Sequence, residues 1–358
     1  MKIGILTLPL HTNYGGILQA YALQAYLEQL GYEVRIIDGG IYSKYSLLID
    51  ILRCGKYILH HLLNLQLPHL SECKAYNYRK ISHFVKSHIH LSKSSIEDIK
   101  EQDFDAIIVG SDQIWRKKYV KQNLLHYFLD FTRYWSIKRI SYAASFGTKE
   151  IEYSSKEIES CRAMLLLFSG VSVREHEGSI LCKEHFNRST KVLIDPTMLL
   201  HASHYRNLIN KKQSLSSGLV TYMLDPSADK YKAVQFLEKI IGCKAFHNGK
   251  TNTWGILHSI EEWLHAFDCA KFVFTDSFHG CVFSIIFNKP FIAYANRERG
   301  ISRFETLLRH FGLDNRLVYD TANIKNISLS PIDWNIVNSR LANLQIDSHK
   351  FITEALDK

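Results

Sequence analysis

MKIGILTLPLHTNYGGILQAYALQAYLEQLGYEVRIID, residues 1–38, decides the fold class. Ile3–Leu8 is a short apolar run, followed by a polar, glycine-containing turn, His11–Gly16. From Ile17 to Leu30, the residues Ala20, Leu23, Leu27 and Leu30 recur at helical spacing, and Gly31 stands where a C-cap glycine belongs. Tyr32–Asp38 then reads as a second strand. Strand, turn, helix and strand in that order form a βαβ crossover and predict a parallel sheet.

The alternation continues along the chain. Strands are expected at Phe104–Val109, Ile140–Phe146, Gly170–Val173, Lys191–Ile194, Gly218–Leu224, Cys243–Phe246, Lys271–Phe274 and Pro290–Tyr294, with helices between them. The stretch 42–94 is different: rich in Leu, His, Lys and Tyr, it reads as a helical insertion broken at Pro68. Single cores stop growing near about 250–300 residues, so 358 residues suggest two domains. We expect a Rossmann-like domain over 1–165, a second over 166–325 and a helical tail over 326–358. The two would face each other across a cleft, with polar clusters at the carboxyl ends of their strands, where such sheets bind ligands.

Composition narrows the function. Apolar residues are 46% and charged residues 22%, which excludes disordered, collagen-like and coiled-coil classes. No run approaches the roughly 20 uncharged apolar residues of a membrane span, and the N-terminus is too briefly apolar for a signal peptide. A cytoplasmic protein is the expectation. The net charge of +9 calls for an anionic partner, and no nucleic-acid signature points to RNA or DNA. Seven scattered Cys without a CxxC pair fit reduced thiols better than disulfides or zinc.

Five strand-end clusters carry candidate chemistry. Asn13, Tyr14, Gly15 and Gly16 form a loop that would meet a ligand at a helix N-terminus, or a plain glycine turn. Asp112, beside Gln113, is a candidate acid/base or sugar-hydroxyl ligand, or else caps the next helix. Arg174 directly follows an apolar strand and either faces the cleft or pairs with Glu175 or Glu177. His279 opens an apolar helix after a strand and would serve an anion site, or pack in the core. Arg297, Arg299 and Arg303 form a solvated loop or bring further cations to the cleft.

The chain resembles the polysaccharide pyruvyl transferase family. The similar elements are the opening stretch above, FDAIIVGSDQIW, SYAASFG, SVREHEG, VLIDPTMLL, FTDSFHGCVFSIIFNKPFIAY and NRERGISRFETLL. They run in order over roughly residues 1–313, and the ordered set carries the specificity. The resemblance implies an α/β, GT-B-like architecture. It implies transfer of a pyruvyl unit from phosphoenolpyruvate to a sugar, forming a pyruvate ketal. With phosphate as leaving group a metal is optional, and we expect neither metal nor cofactor. The resemblance also implies a bacterial surface-glycan precursor as acceptor, such as a capsule precursor, linked to a lipid such as undecaprenyl. His279 and Arg174 match the family's His and the Arg of its SVRE-like motif. Some members carry an Arg where this chain has Ser277, and we expect Arg299 or Arg303 to supply that charge at the donor site.

This chemistry requires a clamp for two anionic groups, which suits Arg, and proton transfer, which suits His. His279 would be the acid; Asp112, Asp276 and Glu175 remain candidates for the base. Asn13, Tyr14, Gly15, Gly16, Asp112 and Gln113 would line the acceptor side, on the first domain, and Arg174, Ser277, His279, Arg299 and Arg303 the donor side, on the second. The rival classes are a GT-B glycosyltransferase using a nucleotide-sugar and a non-catalytic glycan-binding protein. Residues 42–68 combine an apolar stripe with basic charge, so they are expected to touch a membrane surface, pack on the sheet or pair with a second copy of the chain.

Overall fold

The computed structural model describes residues 1–11, 13–37, 74–209, 218–251, 256–295, 300–321, 324 and 331–357. Short apolar runs such as AIIV, 106–109, are buried at every position, the signature of parallel strands covered on both faces. The first sheet contains β1 (Lys2–Leu6), β2 (Glu33–Ile37), β3 (Ala106–Val109), β4 (Lys138–Ala144), β5 (Gly170–Val173) and β6 (Lys191–Val192), in the order β2-β1-β3-β4-β5-β6. The second contains β7 (Leu219–Tyr222), β8 (Phe246–His247), β11 (Phe272–Thr275), β12 (Phe291–Tyr294) and β13 (Leu317–Val318), in the order β13-β12-β11-β7-β8. Every described pairing within the two sheets is parallel. A small antiparallel pair, β9 (Lys250–Thr251) and β10 (Ile256–Leu257), stands apart.

The expected division near residue 165 moves. β5 pairs with β4 and β6 with β5, so both strands extend the first sheet, and the second begins only at Leu219. Helices α3 (Ser155–Leu165) and α4 (His176–Phe186) are further crossovers of that first sheet. Alternation of strand and helix reads the same whether a new strand joins the old sheet or starts another. Arg174 therefore stands on the first domain, not the second.

Order reverses between β1 and β3 in one sheet and between β7 and β11 in the other. These switch points open crevices at strand carboxyl ends. A deeply buried helix follows each: α1 (Tyr14–Gln29) after β1 and α7 (Phe278–Ile286) after β11. All nine residues of α7 are buried. Gly280 is required there, because a Cβ would stand 2.2 Å from Thr275 Oγ1. In the polypeptide between and after these lie α2 (Lys74–His88), α5 (Ala228–Ile241), α6 (Ile260–Cys269), α8 (Ser302–Phe311) and α9 (Trp334–Asp357). Of the expected insertion, 38–73 lies outside the described residues, and with it the segment 42–68 proposed for membrane contact. Lys80 of α2 reaches Glu262 of α6 at 2.9 Å, tying α2 to the second domain.

The helical tail returns to the first sheet. Ser169 Oγ donates to the Ala355 carbonyl at 3.0 Å, and Gln345 donates to the Met198 carbonyl at 2.8 Å. A Cβ on Gly170 would stand 2.7 Å from Ala355 Cβ. Among the described residues no helix is long and apolar enough to cross a membrane. Because Phe351 is buried between α9 and the Tyr142 ring, Phe351→Ala is expected to cost about 3–5 kcal/mol, read as a lower urea midpoint. A cost below about 1 kcal/mol would mean that α9 is a loosely held tail.

Candidate active site

Five strand ends of the first sheet converge on one buried cluster. Asn13 follows β1, Asp112 follows β3, Ser145 follows β4, Arg174 and Glu175 follow β5, and Asp195 follows β6. Arg174 is the centre. Its Nη1 donates to Asp195 Oδ2 at 2.6 Å, and Nη2 faces Asp112 Oδ1 at 3.5 Å. Ser111 Oγ also donates to Asp195 Oδ2, at 3.2 Å. Thr197 pins the other carboxylate oxygen through N–H and Oγ1, at 3.1 and 2.7 Å. The Arg174 Nε and Nη2 atoms are buried and make no hydrogen bond.

The second domain supplies the facing wall. His279 Nε2 lies 3.5 Å from Asp195 Oδ2. The other edge of the ring lies on Gly15, where a Cβ would stand 2.0 Å from His279 Nδ1. The Arg174 guanidinium lies over the Phe278 ring at 4.4 Å and that of Arg303, from α8, at 5.5 Å. Such stacking holds a guanidinium in place while leaving its N–H edge directed outward. A second glycine contact joins the domains: a Cβ on Gly300 would meet the Gly147 carbonyl at 2.3 Å.

Electrostatics follow from this crowding. Burial opposes ionisation of Asp195, yet His279 and Arg174 outweigh it and hold the carboxyl well below the usual range. Burial pushes the Glu175 carboxyl up, although Arg174 and Arg303 pull the other way. Glu175 Oε1 accepts from Ser145 Oγ and from the Phe146 and Gly147 N–H groups at 2.9, 2.9 and 3.1 Å. Burial and the nearby Arg174 charge lower Arg303 to about 10. The two cations stand among the carboxylates of Asp195, Asp112 and Glu175.

The sequence candidates separate into three groups. Arg174, His279, Asp112 and Arg303 come together. Asp112 takes a left-handed backbone, φ 72°, uncommon for a residue with a side chain and typical of functional sites. Its Oδ1 accepts from the Gln113 N–H at 2.9 Å, and its Oδ2 is 3.4 Å from Asn13 Nδ2 and beside Gly16. The anion at the N-terminus of α1 is thus the protein's own carboxylate. A second group is engaged structurally. Tyr14 is buried, donates to the His258 carbonyl at 2.7 Å and stacks on Trp263. Gln113 accepts from Arg116 at 2.9 Å. Ser277 caps α7 by accepting from the Gly280 N–H. Asp276 accepts from Lys230 and from the Leu224 and Asp225 N–H groups, which fixes the loop after β7 rather than facing the cluster. The third group, Arg297 and Arg299, lies outside the described residues.

Asp195 and Phe278 were missed as site residues. Asp195 is the first polar residue after the apolar run that contains β6, so the strand-end rule that selected Arg174 selects it too. Its adjacency to Arg174 depends on β5 and β6 being neighbours in the sheet. The cluster is closed: Arg174, Asp195 and His279 are 3%, 1% and 6% exposed. A cavity of about 240 Å³ lies elsewhere, between Gly170, Lys191 and Phe351, at the amino end of β5.

A family model described as polysaccharide pyruvyl transferase matches residues 13–298. No curated protein matches the chain. Among solved structures, UDP-N-acetylglucosamine 2-epimerase from Rickettsia bellii is similar at 10% identity and TM-score 0.53, over 100% of this chain and 96% of that one. The UDP-GlcNAc 2-epimerase from Neisseria meningitidis, bound to UDP-GlcNAc, gives 10% and 0.52 over the whole of both chains. That from Methanocaldococcus jannaschii gives 12% and 0.52 over 98% of this chain and 100% of that one. At such identity the likeness speaks for the fold alone: GT-B-like, two Rossmann-like domains.

The depressed Asp195 carboxyl has a testable consequence. Its contribution to stability is present above the unfolded value, about pH 3.9, and is lost as pH falls toward the native value. Asp195→Asn leaves Arg174 buried without its carboxylate, at a cost of roughly 3–5 kcal/mol near neutrality. In urea unfolding, the gap between wild type and variant should shrink steadily below about pH 4. A gap that stays constant from pH 7 to pH 3 would contradict the ionised pair.

Proposed function

The chain belongs to the polysaccharide pyruvyl transferase family, and from that premise we propose that it moves the pyruvyl unit of phosphoenolpyruvate onto two hydroxyls of one sugar. The acceptor is a precursor of a bacterial surface polysaccharide such as a capsule, carried on a lipid such as undecaprenyl. The observation that supports the donor assignment is Arg174: buried, with Nε and Nη2 making no hydrogen bond although Nη2 faces Asp112 at 3.5 Å, and sharing Asp195 with His279. Arg303, over the same Phe278 ring, adds the second cation that a donor with both phosphate and carboxylate needs.

The reaction divides among these groups. His279 delivers a proton to C3 of the enol, leaving C2 electrophilic. One sugar hydroxyl adds to C2 while Asp112 accepts its proton, which later returns to His279. The C2–O bond to phosphate breaks, and the second hydroxyl closes the ketal ring, its proton leaving with the phosphate. Asp112 is favoured as base over Glu175, which is fully buried and already accepts three hydrogen bonds through one oxygen, and over Asp276, which braces the loop after β7. The closed cluster requires the domains to part for substrates to reach it, and their return excludes water from the electrophilic intermediate.

Phosphate release from phosphoenolpyruvate, with a lipid-linked sugar panel as acceptor, is the direct test. His279→Ala should lower the rate by about 10²–10⁴-fold. Arg174→Ala should weaken donor binding by roughly 2–5 kcal/mol. Release of a nucleoside diphosphate from a nucleotide-sugar instead would replace this reading by glycosyl transfer, and turnover unaffected by both variants would remove the cluster from the reaction.

A further inference from the structure

His279 and Asp195 do not belong to the same domain. His279 opens α7, behind β11 of the second sheet, and Asp195 follows β6 of the first. We infer that Asp195 is the positioning residue for His279, and that the two form a dyad across the domain boundary. The inference deepens the reading above, since it rests on His279 being the proton donor.

Asp195 is built for this role. Oδ1 is held by two donors from Thr197, which fixes the carboxylate plane. Oδ2 is left to Arg174, Ser111 and the His279 ring. Asp195 faces the imidazole directly; behind it Arg174 pairs with Asp195 and faces Asp112, and Arg303 of α8 lies over the neighbouring Phe278 ring. Only Asp195 directs an oxygen toward a ring nitrogen among the described contacts. The separation is 3.5 Å, and Nε2 is buried with no hydrogen-bond partner, so Asp195 meets the ring as a facing charge. A carboxylate facing one ring nitrogen fixes the orientation of the imidazole.

Gly15 provides a way to move the ring without changing a charge. Its missing Cβ leaves room for the ring; a methyl group would stand 2.0 Å from Nδ1 and displace His279 from its seat beside Asp195. Gly15 lies in the first turn of α1, where alanine is compatible with a helix.

The test uses the full chain without ligand, labelled with nitrogen-15 at the histidine rings, with His279 signals assigned by their loss in His279→Gln. Asp195→Asn should shift the nitrogen-15 signal of the His279 Nε2 that faces it. Gly15→Ala should shift it as well, with every charge retained. An unmoved signal in a folded Asp195→Asn variant would overturn the inference; if that variant does not fold, an unmoved signal in Gly15→Ala would do so. Phosphate release from phosphoenolpyruvate, measured in parallel on wild type, separates the two readings. Turnover with unmoved signals rejects the dyad alone, and moved signals without turnover keep the dyad and reject the donor.

Discussion

Arg174 and Asp195 meet at 2.6 Å with almost no access to water, and the rest of the site is arranged around that pair. Removing two charges from water costs several kcal/mol per ion, so a buried pair contributes little net stability against an apolar substitute. Here each partner is also required elsewhere. Arg174 also faces Asp112 through Nη2, and Asp195 keeps an oxygen facing His279. The parallel sheet makes this possible, because adjacent β5 and β6 end at the same level and deliver an Arg and an Asp side by side.

The domain contact is equally specific. It includes close approaches that only glycine permits, Gly15 against the His279 ring and Gly300 against the Gly147 carbonyl. Gly147 and Gly300 also take left-handed backbone, with φ of 67° and 88°, which glycine adopts at little cost. Glu175 steadies one side of this contact by accepting from the Ser145–Gly147 loop. One residue after β5 thus supplies the buried cation of the cluster, and the next steadies the loop at the domain contact.

Much of the fold was legible because strand and helix periods are local. The first 38 residues announce a parallel crossover, and the polar residue after each apolar run marks the carboxyl edge. Sheet membership was not legible: α3 and α4 return β5 and β6 to the first sheet through contacts far apart in sequence, so the boundary was set too early. Asp195 was overlooked for the same reason, since its partnership with Arg174 is a fact of strand order. Tyr14 and Ser277 were read as ligand residues from their neighbours, whereas domain packing and helix capping engage them. His279 gained weight from its strand–helix junction, and the cross-domain contact with Asp195 lay beyond any local pattern.

The central claim is that phosphoenolpyruvate is bound and protonated where the two domains meet. A crystal structure of the protein with phosphoenolpyruvate tests it most directly. The account predicts phosphate and carboxylate held by Arg174 and Arg303, the His279 ring within reach of C3, and Asp112 facing C2. Donor density away from Arg174, or none at saturating concentration, would contradict it.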